Sequence, residues 1–154
     1  MSTIRELRCS DLLEITHMTM GQGNMGPLRE LMLIMAKFPE YSLVCVSPGN
    51  RIKGFIAGYN TGKGVDRDCE INDLRFRDTD IIWMLLKAVE ERAEKNPRKV
   101  FFVEVDVLSE NQKLVELHKQ MGYTCHKEYF DIIEGEMVNK TVFRKYLSGG
   151  DLHI

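Results

Sequence analysis

The chain is short and has the composition of an ordinary globular protein. It contains 154 residues, of which 44% are hydrophobic and 29% charged, and its formal net charge at pH 7 is −2. This length suits one hydrophobic core, so we expect a single domain over residues 1–154. The interspersed charges exclude the broad basic surface needed for direct nucleic-acid or membrane binding. No apolar run reaches the roughly 18 residues of a membrane span.

The four cysteines lie far apart in the sequence, at Cys9, Cys45, Cys69 and Cys125. They form no C-x-x-C pair, and no histidine completes a metal-ligand spacing with them, so we predict no metal site. Widely separated free thiols are typical of a reduced, cytoplasmic protein.

The first half of the sequence predicts one strand, two helices and three further strands. Thr3–Arg8 alternates apolar and polar residues, as a short strand does, and Ser10 suits the N-cap of the next helix. Pro27 suits the first turn of a second helix, where its missing N–H group is not needed. The three further predicted strands are Tyr41–Val46, Ile52–Tyr59 and Cys69–Phe76.

The second half predicts two helices that alternate with strands. Apolar residues recur at helical spacing over Thr79–Lys95. Val100–Val107 is almost wholly apolar, which predicts a strand buried on both faces. Ser109 is the predicted cap of a helix that ends at Met121, before Gly122. The last predicted strands are Tyr123–Ile132 and Val138–Tyr146. The element order β-α-α-β-β-β-α-β-α-β-β predicts an α/β (α+β) fold.

The segment Gly21–Gly26 matches the spacing G-x-G-x-x-G of dinucleotide-binding loops. Such a loop follows a strand, so that the turn aims a helix N-terminus at pyrophosphate. A predicted helix precedes the segment here. We therefore interpret it as a flexible connection between two helices.

Two sets of polar residues are candidates for chemistry. Asn111 and His118 share a helix face with the apolar Leu114, which predicts that both point inward, as a satisfied core histidine or as site residues. Glu70 and Asp73 lie on one predicted strand at odd spacing, which places them on opposite faces. Glu70 is a candidate catalytic carboxylate, and a solvated strand charge is the alternative.

Two stretches in this order of elements resemble a known enzyme family. NQKLVELHKQMGY, residues 111–123, follows a buried strand and resembles the GCN5-related N-acetyltransferase (GNAT) superfamily. RCSDLLEI and KFPEYSLVCVSPGNRIKGFIAGYNTG are similar to the catalytic subunit of the N-terminal acetyltransferase B complex. In that family an aromatic-Pro-Glu-Tyr run, here Phe38–Tyr41, leads into a strand, a Pro-Gly turn at Pro48–Gly49 and another strand.

The resemblance implies a three-layer fold with about four helices and a mixed central sheet of about seven strands, splayed at the acetyl-CoA site. It implies acetyl transfer from acetyl-CoA to the α-amine of a protein N-terminus, including that of a nascent chain. His118 stands where the family has a tyrosine that protonates the leaving thiolate. The positions implied to contact acetyl-CoA are Leu74, Arg75, Phe76, Arg77 and Asn111.

The resemblance also implies acceptor and partner contacts. By alignment, the acceptor peptide contacts Met20 and Gly21 after the first helix, and Ile132 and Ile133 in the last hairpin. An auxiliary acetyltransferase subunit is expected to dock on the two N-terminal helices and the loop between them. Five methionines that suit an adaptable surface gather there, at Met18, Met20, Met25, Met32 and Met35.

The loop before the third helix favours two other functions. Residues Leu74 to Ile81 contain no glycine, whereas the family has a glycine-rich pyrophosphate loop there, and Asp78 and Asp80 add negative charge. One alternative is a non-catalytic binding module with a GNAT-like fold. The other is an acetyltransferase that acts on a small amine.

We predict that acetyl-CoA binds weakly and that Asp78→Asn with Asp80→Asn tightens binding. At about 6 Å and an effective dielectric constant near 20, each carboxylate opposes a phosphate charge by roughly 2–3 kcal/mol before salt screening. Calorimetric titration of both proteins with acetyl-CoA at two salt concentrations measures the effect. Tight wild-type binding that the double substitution leaves unchanged would contradict the prediction.

Overall fold

The computed structural model describes residues 2–19, 25–61, 67–76, 79–97 and 100–147. Side chains are described for residues 2–15, 29–60, 80–97 and 100–147. The helices are α1 (Leu12–Thr19), α2 (Met25–Lys37), α3 (Thr79–Glu94) and α4 (Gln112–Gln120), with short 3-10 turns at Cys9–Asp11 and Pro39–Tyr41. The strands are β1 (Thr3–Glu6), β2 (Ser42–Val46), β3 (Ile52–Thr61), β4 (Arg67–Phe76), β5 (Val100–Leu108), β6 (Thr124–Ile133) and β7 (Glu136–Tyr146). No described helix is long and apolar enough to cross a membrane.

The seven strands form one sheet in the order β1-β2-β3-β4-β5-β7-β6. Among the described strands only β4 and β5 pair in parallel, and α3 is the crossover that this direction requires. All other neighbours are antiparallel. The predicted element order and the mixed sheet are therefore confirmed.

Helices cover both faces of the sheet, which gives the predicted three layers. Strand alternation divides the apolar residues: Leu43 and Cys45 of β2 pack with α3 and α4, whereas Val44 and Val46 belong to a second cluster with α1 and α2. The cluster below α3 and α4 continues across β5 and β7. The second cluster is confined to the half of the sheet that contains β2 and β3.

Because α1 and α2 cover only that half, β5 is buried on one face. Val103, Val105 and Val107 lie in the core below α3 and α4, but Glu104 is only partly buried and Asp106 is exposed. The prediction that β5 is buried on both faces was wrong. The alternation of Glu104 and Asp106 with valines is the pattern of a half-buried strand.

The sheet splays between β4 and β5, as predicted. Their described ladder ends at the pair Ile71 and Val105, yet β4 stays paired with β3 up to Phe76, and β5 stays paired with β7 up to Leu108. Opposite β3 the pairing skips Asn72, which is therefore a bulge residue at the point of divergence. A bulge bends its strand, and this bend accounts for the departure of β4 from β5.

The start of α4 differs from the prediction. Asn111, not Ser109, is the N-cap residue, because its side chain accepts a hydrogen bond from the backbone N–H of Leu114 at 3.3 Å. The Ser109 hydroxyl is instead 2.7 Å from the hydroxyl of Thr141. Gly122 follows α4 with φ of 95°, the left-handed conformation predicted for a C-terminal cap.

A buried ion pair ties β1 to the start of α1. Two guanidinium nitrogens of Arg5 donate to the two carboxylate oxygens of Asp11 at 2.8 Å, and the backbone N–H of Arg8 donates to Asp11 at 2.8 Å. Burial alone raises the pKa of Asp11, which is 7% exposed. The bonds from Arg5 and Arg8 outweigh this effect and lower that pKa below its usual value.

Asp11→Asn should lower the free energy of unfolding at pH 7 by about 1–3 kcal/mol, because Arg5 loses its charged partner. Since the folded pKa is lowered, this stabilisation is present above the unfolded pKa of about 3.9 and is lost as pH falls through the folded pKa. Urea unfolding across this range should therefore show the difference from wild type shrinking in acid. Glu116→Gln is the control, since its pair with Lys119 is 3.9 Å long and exposed. An Asp11→Asn deficit that stays constant with pH would contradict the prediction.

Candidate functional site

The gap between β4 and β5 exposes a stretch of backbone. Residues 72–76 of β4 pair with β3 on one side and, among the described residues, with no strand on the other. On the side of β4 that faces the gap, the backbone N–H and C=O groups of these residues can bond a linear amide chain, as they would bond an added strand. Leu74, Arg75 and Phe76 lie on this stretch, which is where the resemblance places the acetyl-CoA contacts. Arg77 and Asp78 lie outside the described residues.

His118 points inward, as its helical spacing predicts. It is 0% exposed, its ring stacks on Phe143 at 5.5 Å, and it meets the edge of Tyr123 at 5.5 Å. Nδ1 lies 2.8 Å from the carbonyl oxygen of Leu114, so in the neutral ring this nitrogen donates the hydrogen bond. Burial lowers the pKa of His118, and the bond to Leu114 offsets only part of that effect.

Within the part of the chain that the structure describes, Nε2 of His118 is buried without a hydrogen-bond partner. With the proton on Nδ1, Nε2 is an acceptor. It donates a proton only after the ring is charged or changes tautomer. The surroundings are those of a core histidine, the first of the two interpretations of the sequence.

Asn111 does not share that inward position. As the N-cap residue it is exposed at the start of α4, directly after β5, so the prediction that it points inward was wrong. An N-cap side chain lies outside the helix, and the helical periodicity that governs Leu114 and His118 does not extend to it.

Glu70 and Asp73 take register positions that differ from the prediction of opposite faces. Glu70 pairs with Tyr59 and Asp73 pairs with Ala57. Ala57 belongs to the cluster under α1 and α2, and Tyr59 packs against that cluster. The bulge at Asn72 inserts one residue between the two acidic positions. It therefore shifts the alternation and brings both to the same face.

The structure describes two of the four predicted acceptor contacts. Ile132 and Ile133 are exposed by 70% and 40% at the tip of the β6–β7 hairpin, and strand alternation directs them to opposite faces. Met20 and Gly21 lie outside the described residues. Of the five methionines of the predicted partner surface, Met32 is exposed and Met35 is partly buried, and the other three side chains are not described.

A polar cluster on the open face of β5, β7 and β6 was missed by the sequence analysis. Arg144 binds Glu104 at 2.6 Å and lies over the ring of Phe102. Tyr129 donates a hydrogen bond of 2.5 Å to Asp106. The signal was present in β5, where two carboxylates alternate with valines. The contact between Tyr129 and Asp106 could not be predicted from the sequence, because it spans β7 and joins two strands that are not adjacent.

Among the described residues, no group of histidine, cysteine, aspartate and glutamate side chains could hold a metal ion. The described cysteines, at positions 9, 45 and 125, are free thiols. The candidate site therefore consists of an open strand edge, a buried histidine below one face of the sheet and carboxylates on the other face.

No protein-family model matches the sequence. A curated relative, the N-terminal acetyltransferase B complex catalytic subunit NAA20 of Arabidopsis thaliana, is 27% identical over 146 residues, which cover 88% of this chain and 80% of that protein. The structure of A. thaliana NAA60 with a bisubstrate analogue superposes with a TM-score of 0.80 at 17% identity, over 97% of this chain and 99% of that one. Chaetomium thermophilum Naa20 with a bisubstrate analogue gives 0.78 at 19% identity, over 98% and 90%.

The chain therefore has the fold of the GNAT superfamily. Its sequence resembles the catalytic subunit of the N-terminal acetyltransferase B complex. Both predictions made from the sequence are confirmed.

The buried ring of His118 should make stability depend on pH. Because its folded pKa is lowered, the unfolded chain binds a proton below about pH 6.5 that the folded chain resists, so the free energy of unfolding falls there. His118→Phe should remove this component and keep the stack on Phe143. Chemical unfolding at pH 7.5 and pH 5.5 measures it, with the exposed His126→Asn as control. Equal pH dependence in wild type and His118→Phe would contradict the prediction.

Proposed function

We propose that this chain is an acetyl-CoA-dependent N-acetyltransferase that acts on the α-amine of protein N-termini. The splay between β4 and β5, in a chain whose sequence resembles an N-terminal acetyltransferase subunit, is the observation that carries the proposal. The curated relative is named as a catalytic subunit of such an enzyme. The superposed structures hold bisubstrate analogues, and these likewise support an acyltransferase.

The open edge of β4 suits the donor substrate. The arm of acetyl-CoA carries amide groups, which would bond to unpaired strand backbone at Leu74, Arg75 and Phe76. The resemblance assigns Arg77 to the same substrate. A backbone N–H that faces the gap also suits the thioester oxygen, where negative charge develops during attack. Asn111 lies at the end of β5, and we assign it to the same side of the donor.

Acetyl transfer needs a neutral amine, a donor to the carbonyl oxygen and a proton for the leaving thiolate. We assign Glu70 to the acceptor side, because its register position lies on the same face of the sheet as the carboxylates of β5. His118 is the proposed acid, by its alignment with the family tyrosine. This role requires the proton to move from Nδ1 to Nε2, or a second proton to enter the buried ring.

The acceptor and the partner follow from the resemblance. We propose protein N-termini that begin with methionine followed by an acidic or amide residue, in the cytoplasm. The peptide would lie near the β6–β7 hairpin, with Ile132 and Ile133, and near Met20 and Gly21. An auxiliary subunit would dock on α1 and α2, where Leu13, Met32 and Leu33 are exposed.

A non-catalytic binding module is the second candidate. It is favoured by the loop without glycine before α3 and by the aliphatic residues at positions 132 and 133. It predicts a folded protein that binds a peptide but does not consume acetyl-CoA. A small-amine acetyltransferase is the third candidate, and it predicts turnover that does not depend on a peptide acceptor.

The test is an acetyl-transfer assay by mass spectrometry, with acetyl-CoA and short peptides whose α-amine is free. We expect acetylation of peptides that begin with Met-Asp, Met-Glu, Met-Asn or Met-Gln. Matched peptides with a blocked α-amine and a free lysine should gain no acetyl group. A panel of small amines distinguishes the third candidate. Peptide binding without any acetyl transfer, in the presence and absence of an auxiliary subunit, would overturn the proposal and favour the binding module.

A further inference from the structure

Asp106 occupies a distinctive position at the splay. It follows Val105, the last residue of β5 that pairs with β4. Its neighbours Val105 and Val107 point into the core below α3 and α4, so alternation places Asp106 on the opposite face, where it is exposed. A carboxylate there stands at the mouth of the gap, on the face that α3 and α4 do not cover.

The carboxylate of Asp106 differs from the carboxylates near it in its partner. On the same face, Glu104 is paired with Arg144 at 2.6 Å, and Asp131 is paired with Lys140 at 3.0 Å. Within the described part of the chain, Asp106 forms no salt bridge, and its partner is the neutral hydroxyl of Tyr129 at 2.5 Å. A carboxylate that lacks a salt-bridge partner among the described residues and lies beside an open cleft attracts a positively charged ligand.

Tyr129 keeps this carboxylate in one orientation. Burial raises the pKa of Tyr129, and the negative charge of Asp106 raises it further, so the phenol remains protonated and donates throughout the neutral range. The bond is made to Oδ2 of Asp106. The described hydrogen bonds leave Oδ1 available to a second donor, such as an ammonium group.

We propose that Asp106 is the catalytic base that binds the acceptor ammonium group and removes its proton, with Tyr129 as a positioning residue. This assignment rests on the proposed function. The gap between β4 and β5 passes through the sheet. An amine that approaches from the face that α3 and α4 do not cover can therefore reach a thioester bound between the two strands. An amine held by Asp106 on that face lies over the gap in which the donor is bound.

The proposed step balances in atoms and electrons. The ammonium group gives one proton to Asp106 and becomes a neutral amine. Its lone pair forms the C–N bond to the thioester carbon, and the C–S bond breaks with its electrons on sulfur. The nitrogen gives its second proton to water in the gap, and the thiolate takes one proton from that water or from His118, which the water reprotonates, to give the free thiol of coenzyme A. Asp106 releases its proton to bulk water.

The test compares Asp106→Asn, Asp106→Glu and Tyr129→Phe with wild type in the peptide assay. Asp106→Asn should lower kcat/KM by about a hundredfold to ten-thousandfold, the range of general base catalysis. Asp106→Glu should restore part of the loss. Tyr129→Phe should lower kcat by about tenfold, because the carboxylate keeps its chemistry but loses one orienting bond. Titration with acetyl-CoA and thermal unfolding should match wild type for all three.

The choice of acceptor separates proton removal by Asp106 from a merely structural role of that residue. A peptide whose α-amine is replaced by a less basic hydrazine is largely neutral at pH 7, so it should lose much less rate with Asp106→Asn than the normal peptide does. The matched control is Asp131→Asn, a carboxylate on the same sheet face that is already paired with Lys140. Its kcat should stay within about twofold of wild type.

Two outcomes would overturn the assignment in different ways. Full activity of Asp106→Asn, with wild type active, would refute Asp106 as the base and leave the proposed function standing. Equal losses for Asp106→Asn with normal and hydrazine acceptors would show that its effect is not proton removal. A wild-type protein that transfers no acetyl group would refute the proposed function, and the assignment would fall with it.

Discussion

The structure depends on the limited pairing of β4 with β5. On their outer sides these strands stay paired with antiparallel neighbours up to Phe76 and Leu108, but they pair with each other only up to Ile71 and Val105. The bulge at Asn72 bends β4 at that point, so the two halves of the sheet diverge while the core below α3 and α4 stays continuous. Backbone groups left unpaired inside a sheet are costly unless water or a ligand satisfies them. The unpaired backbone of the gap therefore favours the binding of a ligand as well as shaping the fold.

The two faces of the gap are built differently, and this difference follows from where the helices pack. α3 and α4 cover one face from β2 to β7, and His118 lies in that apolar layer. α1 and α2 cover only the strands at the β1 side, which leaves β5, β7 and β6 open on the other face. Ionised side chains are stable on the open face because water and counter-charges reach them. Burial on the covered face lowers the pKa of His118 and so favours its neutral form.

Sequence patterns predicted the elements and their order because long apolar repeats and turn residues act locally. The α3 repeat, Gly122 and the strands around Pro48–Gly49 are of this kind. The patterns failed where a contact joins residues remote in sequence, or where one extra residue shifts the alternation of side chains between the two faces of a strand. The bulge at Asn72 moved Glu70 and Asp73 to the same face, and no local pattern marks it. The pairing of Asp106 with Tyr129 joins strands that are not adjacent in the sheet, so periodicity within either strand does not reveal it. Asn111 caps α4 in place of Ser109, whose hydroxyl forms a hydrogen bond with the hydroxyl of Thr141, a residue remote in sequence.

The arrangement separates the two proton transfers of an acetyl transfer across the sheet. The amine must lose protons and the thiolate must gain one, and groups that accept and donate neutralise each other when they touch. Asp106 and His118 belong to opposite faces, so the sheet itself keeps them apart. The face of Asp106 is open to water and suits the release of protons. The Nδ1 proton of His118 is engaged with Leu114, so the ring needs a change of tautomer before Nε2 donates. Acetyl transfer on this scaffold is therefore more constrained on the thiolate side than on the amine side. Water that enters the gap with the donor is an alternative source of the proton that the thiolate requires.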